Sequence, residues 1–274
     1  MFKDPRNAKL AKVFIEHSLN VKKGDKVVIS TSDLDCKDLI NECMKLSLKK
    51  GAFVYLDIVG WNFLLDRTSC RDFVQTFYKY ASDEVIKNPP TIYNEITNWG
   101  DKFVRIGSYD NFTYSIGLNP KKKKLREHAR KSWFRTIIDK KDWVLTLYPT
   151  PSMAQQSGMS YTQLVDFYFE SVLVDYKQME EQEKRIKKIL DTGKKVHIVG
   201  EKTDLWLDID GRLAKTCSGQ HNIPDGEVFI APNHLKTEGT VYFDLPNFRD
   251  GVDVIGILLE FKKGKVVKYS AEQG

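Results

Sequence analysis

Apolar positions along the first two-thirds of the chain switch between a helical period and short continuous runs. Leu10, Val13 and Phe14 recur at helical spacing, which predicts a helix over 8–19. Gly24-Asp25 is a turn signal, and Lys26-Val27-Val28-Ile29-Ser30 reads as a short buried strand. Leu39, Ile40, Cys43, Leu46 and Ser47 share one side of a helix over 33–50, with Gly51 placed as its C-cap. A strand follows over 53–59, so the unit is strand–helix–strand, the crossover that parallel strands require. Helices are predicted over 62–80 and 91–99, interrupted by Pro89-Pro90. Strands at 103–106 and 143–148 flank a helix over 120–138, and one long helix is predicted over 161–192. It is apolar at Leu164, Val165, Phe167 and Tyr168 and highly charged towards its end. Such alternation predicts an α/β, doubly wound, mostly parallel sheet covered on both faces.

Past Gly193 the period changes to two. Leu205, Leu207 and Ile209 alternate with Trp206 and Asp208, and Asp210-Gly211 follows as a hairpin-type turn. Strands are predicted over 196–200, 227–231, 240–243, 252–261 and 265–269, with Lys262-Lys263-Gly264 joining the last two as a hairpin. The expected organisation is an N-terminal α/β domain over 1–192 and a β-rich, incomplete domain over 193–274. A sheet built from so few residues is a marginal core and leaves one face open. Exposed edges and apolar surface there predict aggregation or dependence on a partner.

Composition narrows the class without naming a chemistry. Of the 274 residues, 41% are hydrophobic and 29% charged, which is ordinary globular usage and excludes a collagen-like or coiled-coil chain. No apolar run approaches the ~18 residues of a membrane span. The start, Met1-Phe2-Lys3-Asp4-Pro5-Arg6, has no apolar core of a signal peptide, which predicts the cytoplasm and no membrane partner. Cys36, Cys43, Cys70 and Cys217 form no CxxC pair and are expected to be small buried thiols. The net charge of +6 is spread among 37 acids, apart from Lys121-Lys122-Lys123-Lys124 with Arg126, Arg130 and Lys131. That cluster follows the helix-start pair Asn119-Pro120 and is read as a solvated first turn. No stacking-aromatic motif accompanies it, so no nucleic-acid partner is expected.

HExxH, GxxxxGK[ST], GxSxG and GxGxxG are all missing. His17 and His128 are expected to face solvent, and His197 to be a satisfied core imidazole. His221 and His234 flank the best candidate motif, Asn222-Ile223-Pro224-Asp225-Gly226-Glu227-Val228-Phe229. Pro224 and Gly226 suit a type I turn that delivers Glu227 to the first position of a strand. A carboxylate held there can ligate a divalent metal or orient a substrate amine, although catalytic zinc takes about three protein ligands.

The run Cys217-Ser218-Gly219-Gln220-His221 followed by the 222–229 block and Ile230-Ala231-Pro232 resembles the signature of the M29, thermophilic or aminopeptidase T-type, metallo-aminopeptidases. Thr203-Asp204-Leu205 with Gly211-Arg212, Tyr148-Pro149-Thr150, Gly158-Met159-Ser160, and Gly256-Ile257 to Ser270-Ala271-Glu272 agree with it in order. The resemblance implies a peptidase that removes N-terminal residues with a water activated between two divalent ions, cobalt, zinc or similar. It implies that Glu227 is one metal ligand and that the substrate is a peptide. It places the other ligands in a C-terminal stretch beyond residue 274, so the expectation is a truncated chain, inactive or dependent on a complementing C-terminal polypeptide. A homodimer is a further expectation. The alternatives are a non-catalytic binding or scaffold remnant of the family, or a related metal-dependent ring-cleaving dioxygenase.

Overall fold

The computed structural model describes residues 4–31, 33–58, 71–108, 116–249 and 252–274. The chain divides into two units, Met1–Val174 with Gly219–Asp225, and Asp175–Ser218 with Gly226–Gly274. A single boundary at 192/193 is the expectation from sequence; here the stretch 175–192 goes with the second unit and a seven-residue excursion goes with the first.

Chain order in the first unit is α1 (Arg6–Lys12), β1 (Lys26–Thr31), α2 (Lys37–Lys49), β2 (Phe53–Ile58), α3 (Arg71–Tyr80), α4 (Asp83–Lys87), α5 (Ile92–Trp99), β3 (Lys102–Ser108), α6 (Pro120–Lys140), β4 (Asp142–Tyr148), α7 (Pro151–Gln156) and α8 (Tyr161–Val172). The second unit opens with α9 (Tyr176–Thr192), β5 (Lys195–Gly200), β6 (Thr203–Asp208) and β7 (Lys215–Cys217). Then β8 (Asn222–Ile223) belongs to the first unit, and β9 (Glu227–Phe229), β10 (Glu238–Phe243), β11 (Asn247–Arg249), β12 (Val252–Val254), β13 (Ile257–Lys262) and β14 (Lys265–Ser270) complete the second.

The first unit is the expected parallel sheet, in the order β2-β1-β3-β4-β8, with every pairing parallel. Its central strands are buried on both faces, and Val27, Val28, Ile29, Val104 and Val144 are fully enclosed, which is why they read as continuous apolar runs. Leu10, Phe14 and Ile15 join that core. The helix expected over 8–19 narrows to α1 and continues as a wider turn, Val13–Ser18. There the Leu19 N–H donates to Phe14 O, five residues back, at 3.0 Å. Of the helix expected over 62–80, residues 62–70, Cys70 among them, lie outside the described residues, as does Val59.

The helix expected over 161–192 is two helices. Ser160 opens α8 with a capping box, its hydroxyl accepting from the Gln163 N–H and the Gln163 side chain accepting from the Ser160 N–H. Asp175 starts α9, its Oδ1 accepting from the N–H groups of Lys177 (3.0 Å) and Gln178 (3.1 Å). Such a cap is worth about 1 kcal/mol.

The second unit is an antiparallel sheet, β14-β13-β10-β6-β5, with the ribbons β7–β9 and β11–β12. Its tight hairpins are at Glu201-Lys202, between β5 and β6, and at Lys263-Gly264, between β13 and β14 as expected; Asp210-Gly211 does not form one, because β7 leaves for a separate ribbon. The strand expected over 252–261 is divided between β12 and β13. Register puts Ile198, Leu205, Gly239 and Phe261 on one face, with Val241, Leu259 and Tyr269 and with Phe243 and Ile257. Much of that apolar face is open among the described residues: Ile198 is 43% exposed, Phe243 49% and Tyr269 80%.

Helix α9 supports the short ribbon instead of standing free in solvent. It packs on β7 and β9. Four side chains spaced one turn apart, Met179, Glu183, Lys187 and Asp191, meet the ribbon in sequence. A Cβ at Gly226 would lie 3.2 Å from Met179 Cε, and Gly226 has φ +133°, so this position requires glycine. Ser218 Oγ donates to Glu183 Oε2 (2.5 Å), Lys187 Nζ donates to Ala214 O (2.6 Å), and the Ala214 N–H donates to Asp191 Oδ1 (2.7 Å). Lys187 also donates to Asp191 Oδ2 at 2.8 Å.

Two predictions follow from this architecture. Light scattering of the 1–274 chain is expected to show self-association that rises with concentration. Replacing Phe243 and Tyr269 together by lysine should give a monodisperse monomer whose stability changes by no more than about 1 kcal/mol, since both are surface positions; a native chain that is already monodisperse contradicts this. The bonds from Lys187 and then from the Ala214 N–H hold the Asp191 carboxyl below its usual range. Its contribution to the seam is therefore complete above about pH 3.9, the ordinary aspartate value, and is lost as pH falls through its lowered value. The Ala214 amide proton resonance should titrate with a midpoint below about 3.9, and a midpoint at or above that value removes the seam's electrostatic component.

Candidate functional site

The stretch that reads as one motif in sequence divides its work between the two units. Ser218 is the last residue of the second unit before the excursion, and its side chain is fully buried. Over Gly219–Asp225 the chain adds β8 to the edge of the parallel sheet, with Asn222 opposite Leu145 and Ile223 opposite Thr146. The Leu145 N–H donates to His221 O at 2.7 Å, and Ile223 is 2% exposed. The excursion is closed by the Gly219 N–H donating to Asp225 Oδ2 (2.9 Å) and by Ser18 Oγ donating to Gly219 O (2.6 Å). The Ile223–Pro224 peptide within this bend is cis.

Glu227 opens β9, directly opposite Cys217 of β7, and the Gly226 N–H donates to Cys217 O at 3.0 Å beside that pair. The Glu227 side chain is exposed, and among the described residues its carboxylate forms no hydrogen bond or ion pair. A strand-borne carboxylate with free lone pairs is suited to a hard cation or an ammonium group.

The histidines do not gather around it. His221 stacks on Trp143, ring centroids 4.5 Å apart, and its Nδ1 lies 3.1 Å from Trp143 O, so it fastens β8 to β4. His234 is exposed in a short 3-10 turn, His234–Lys236. That turn is tied to β6, with the Asn233 amide donating to the Asp208 carboxylate and Lys236 Nζ 3.3 Å from it. The first of these bonds, more than the second, lowers the Asp208 carboxyl. His197 is satisfied but is not a core imidazole. It is half-exposed on the edge strand β5, bonded to Asp204 (2.8 Å) and stacked on Trp206 at 3.8 Å. His128 is exposed on α6.

The lysine cluster is more structural than a solvated turn. Asn119 Oδ1 caps α6, accepting from the Lys121 and Lys122 N–H groups, and Lys122 Nζ donates to Tyr78 O and Ala81 O at 2.8 Å each. Lys121 pairs with Asp83, and Arg126 is buried with its guanidinium 5.0 Å from the Phe77 ring. Cys36 and Cys43 are buried thiols, and burial pushes Cys36 up to about 11, against the opposing hydrogen bond with Thr31. A thiol so raised stays protonated and unreactive at neutral pH.

Among the described residues no group of three or more His, Cys, Asp or Glu side chains is placed to hold a metal ion. The described residues therefore do not bring together the donor set of a two-metal centre around Glu227. The residue that sequence reasoning passed over is Glu183, hidden in a run of charges on α9. Its only signal is the four-residue spacing of Met179, Glu183, Lys187 and Asp191.

Comparison with known proteins supplies what the geometry leaves open. Aminopeptidase 2 of Geobacillus stearothermophilus is 24% identical over 302 residues, covering 97% of this chain and 70% of that protein. Wild-type AmpT from Thermus thermophilus shares the fold with a TM-score of 0.77 at 21% identity, covering 98% of this chain and 72% of that one. A 2,5-dihydroxypyridine dioxygenase from Pseudomonas putida KT2440 is a more distant likeness, with a TM-score of 0.50 at 14% identity over 97% of this chain and 69% of that one. Residues 3–274 match the model of the thermophilic metalloproteases. With the match running through the whole of both units, the chain belongs to the thermophilic metalloprotease (M29) family.

Proposed function

We propose that this chain serves a metal-dependent aminopeptidase, which removes N-terminal residues from peptides, and that Glu227 is one ligand of its divalent-ion centre. The observation that carries the reading is the exposed, unpartnered Glu227 carboxylate at the start of β9, inside a chain that matches the family from residue 3 to 274. The name of the G. stearothermophilus relative supports the exopeptidase class. A carboxylate fixed by strand pairing costs little further ordering when it binds, which suits it to ligation.

Peptide hydrolysis at neutral pH needs an activated water and a polarised carbonyl, and a lone carboxylate supplies neither. We therefore read the 1–274 chain as contributing part of a donor set, completed by polypeptide of the family that these residues do not include, whether joined to this chain or associated with it.

The test is hydrolysis of leucyl amide with added cobalt or zinc. Residues 1–274 alone are expected to give no turnover above the metal-only background. When they are joined to or mixed with the part of Aminopeptidase 2 that the match leaves uncovered, metal-dependent release of leucine is expected. Glu227→Gln should reduce it by at least about 100-fold, since loss of a ligand carboxylate removes both charge and geometry. Robust turnover by 1–274 alone overturns the incomplete donor set. Iron-dependent ring opening of 2,5-dihydroxypyridine, with no amide hydrolysis, overturns the peptidase reading.

A further inference from the structure

We propose that Glu183 is a positioning residue for Glu227, acting through Ser218 and the β7–β9 ribbon; the inference rests on the reading of Glu227 as a metal ligand. Glu183 is 4% exposed, and it and Tyr176 are the two buried residues of a helix whose sequence is highly charged. Its Oε2 accepts from Ser218 Oγ at 2.5 Å, while its Oε1 is buried with no hydrogen-bond partner among the described residues. Enclosing a carboxylate is unfavourable unless its interactions repay the lost hydration, and an apolar side chain would fill the same space more readily. A hydroxyl donating to a carboxylate is a short, charge-assisted bond, well suited to fixing one strand position.

The position that it fixes borders the candidate ligand. Ser218 follows Cys217, and Cys217 is the cross-strand partner of Glu227. One helical turn before Glu183, Met179 abuts Gly226, the residue that precedes Glu227. Helix α9 thus holds the end of the Cys217–Glu227 pair that faces the excursion, through Ser218 on one strand and Gly226 on the other. Further along, Lys187 and Asp191 clasp Ala214, just ahead of β7. Ser218 is also the last residue of the second unit before the 219–225 excursion.

Hydrogen exchange and manganese relaxation in the isotope-labelled 1–274 chain test this together. The probes are the Gly226 amide, which donates to Cys217 O, and Mn²⁺-induced broadening of the Glu227 signals. Glu183→Ala is expected to speed Gly226 exchange at least tenfold and to reduce the Glu227 broadening at least threefold, with exchange in β10 and β13 unchanged. Glu183→Gln keeps an acceptor for Ser218 and should restore both readouts to within threefold of native. Ser218→Ala deletes only the hydroxyl, should reproduce the Glu183→Ala result, and carries the test if Glu183→Ala does not fold. Unchanged Gly226 exchange in Ser218→Ala, or acceleration shared equally with β10 and β13, overturns the proposal. Mn²⁺ broadening that persists in Glu227→Gln overturns the ligand reading, while the exchange result by itself still decides whether Glu183 positions the ribbon.

Discussion

A β-ribbon of three residues per strand cannot hold its shape in water by its own hydrogen bonds. The pair Cys217–Glu227 lies in such a ribbon, so its geometry depends on what the ribbon rests against. Here that support is α9, which reaches it through one apolar contact and three polar bonds at successive turns. Polar bonds specify register where apolar packing alone would allow sliding, and the short antiparallel pairing has little other means of choosing its register. The buried carboxylate of Glu183 is costly as a stability device and reasonable as a specificity device.

The 217–229 stretch also shows why a motif and a site are different things. His221, Ile223 and Asp225 serve the seating of β8 on the parallel sheet: a stacked ring, a buried side chain and a carboxylate that closes the excursion. Val228 and Phe229 belong to the ribbon. Among these residues Glu227 combines an exposed, charged side chain with no partner among the described residues and a backbone held by cross-strand pairing. Family membership narrows the chemistry, and among the described residues no group of three or more His, Cys, Asp or Glu is placed to hold a metal ion.

The alternation of buried runs and helical periods made the parallel sheet legible, because doubly covered strands must be apolar throughout. The arrival of Glu227 at a strand start was legible from the Pro224 and Gly226 bend. The break between α8 and α9 was not, since Leu173-Val174-Asp175 contains neither glycine nor proline, and Asp175 looks like one more charge until it is seen capping. Two residues of β8 carry no period to read, so the excursion into the other unit leaves no trace in the pattern. His197 looked internal because it alternates within an apolar strand, but β5 is an edge strand of a sheet with exposed faces. Glu183 was hidden because a buried polar stripe and a solvated one have the same composition.

The central claim is that Glu227 offers a free carboxylate to a cation from a ribbon held by α9. A crystal of the 1–274 chain soaked in cobalt, read by anomalous scattering, tests it most directly. The account predicts a cobalt peak at coordination distance from Glu227, with Ser218 still bonded to Glu183 and no further protein carboxylate or imidazole on the ion. A Glu227 carboxylate ion-paired to a lysine or arginine, with cobalt bound elsewhere, would contradict it.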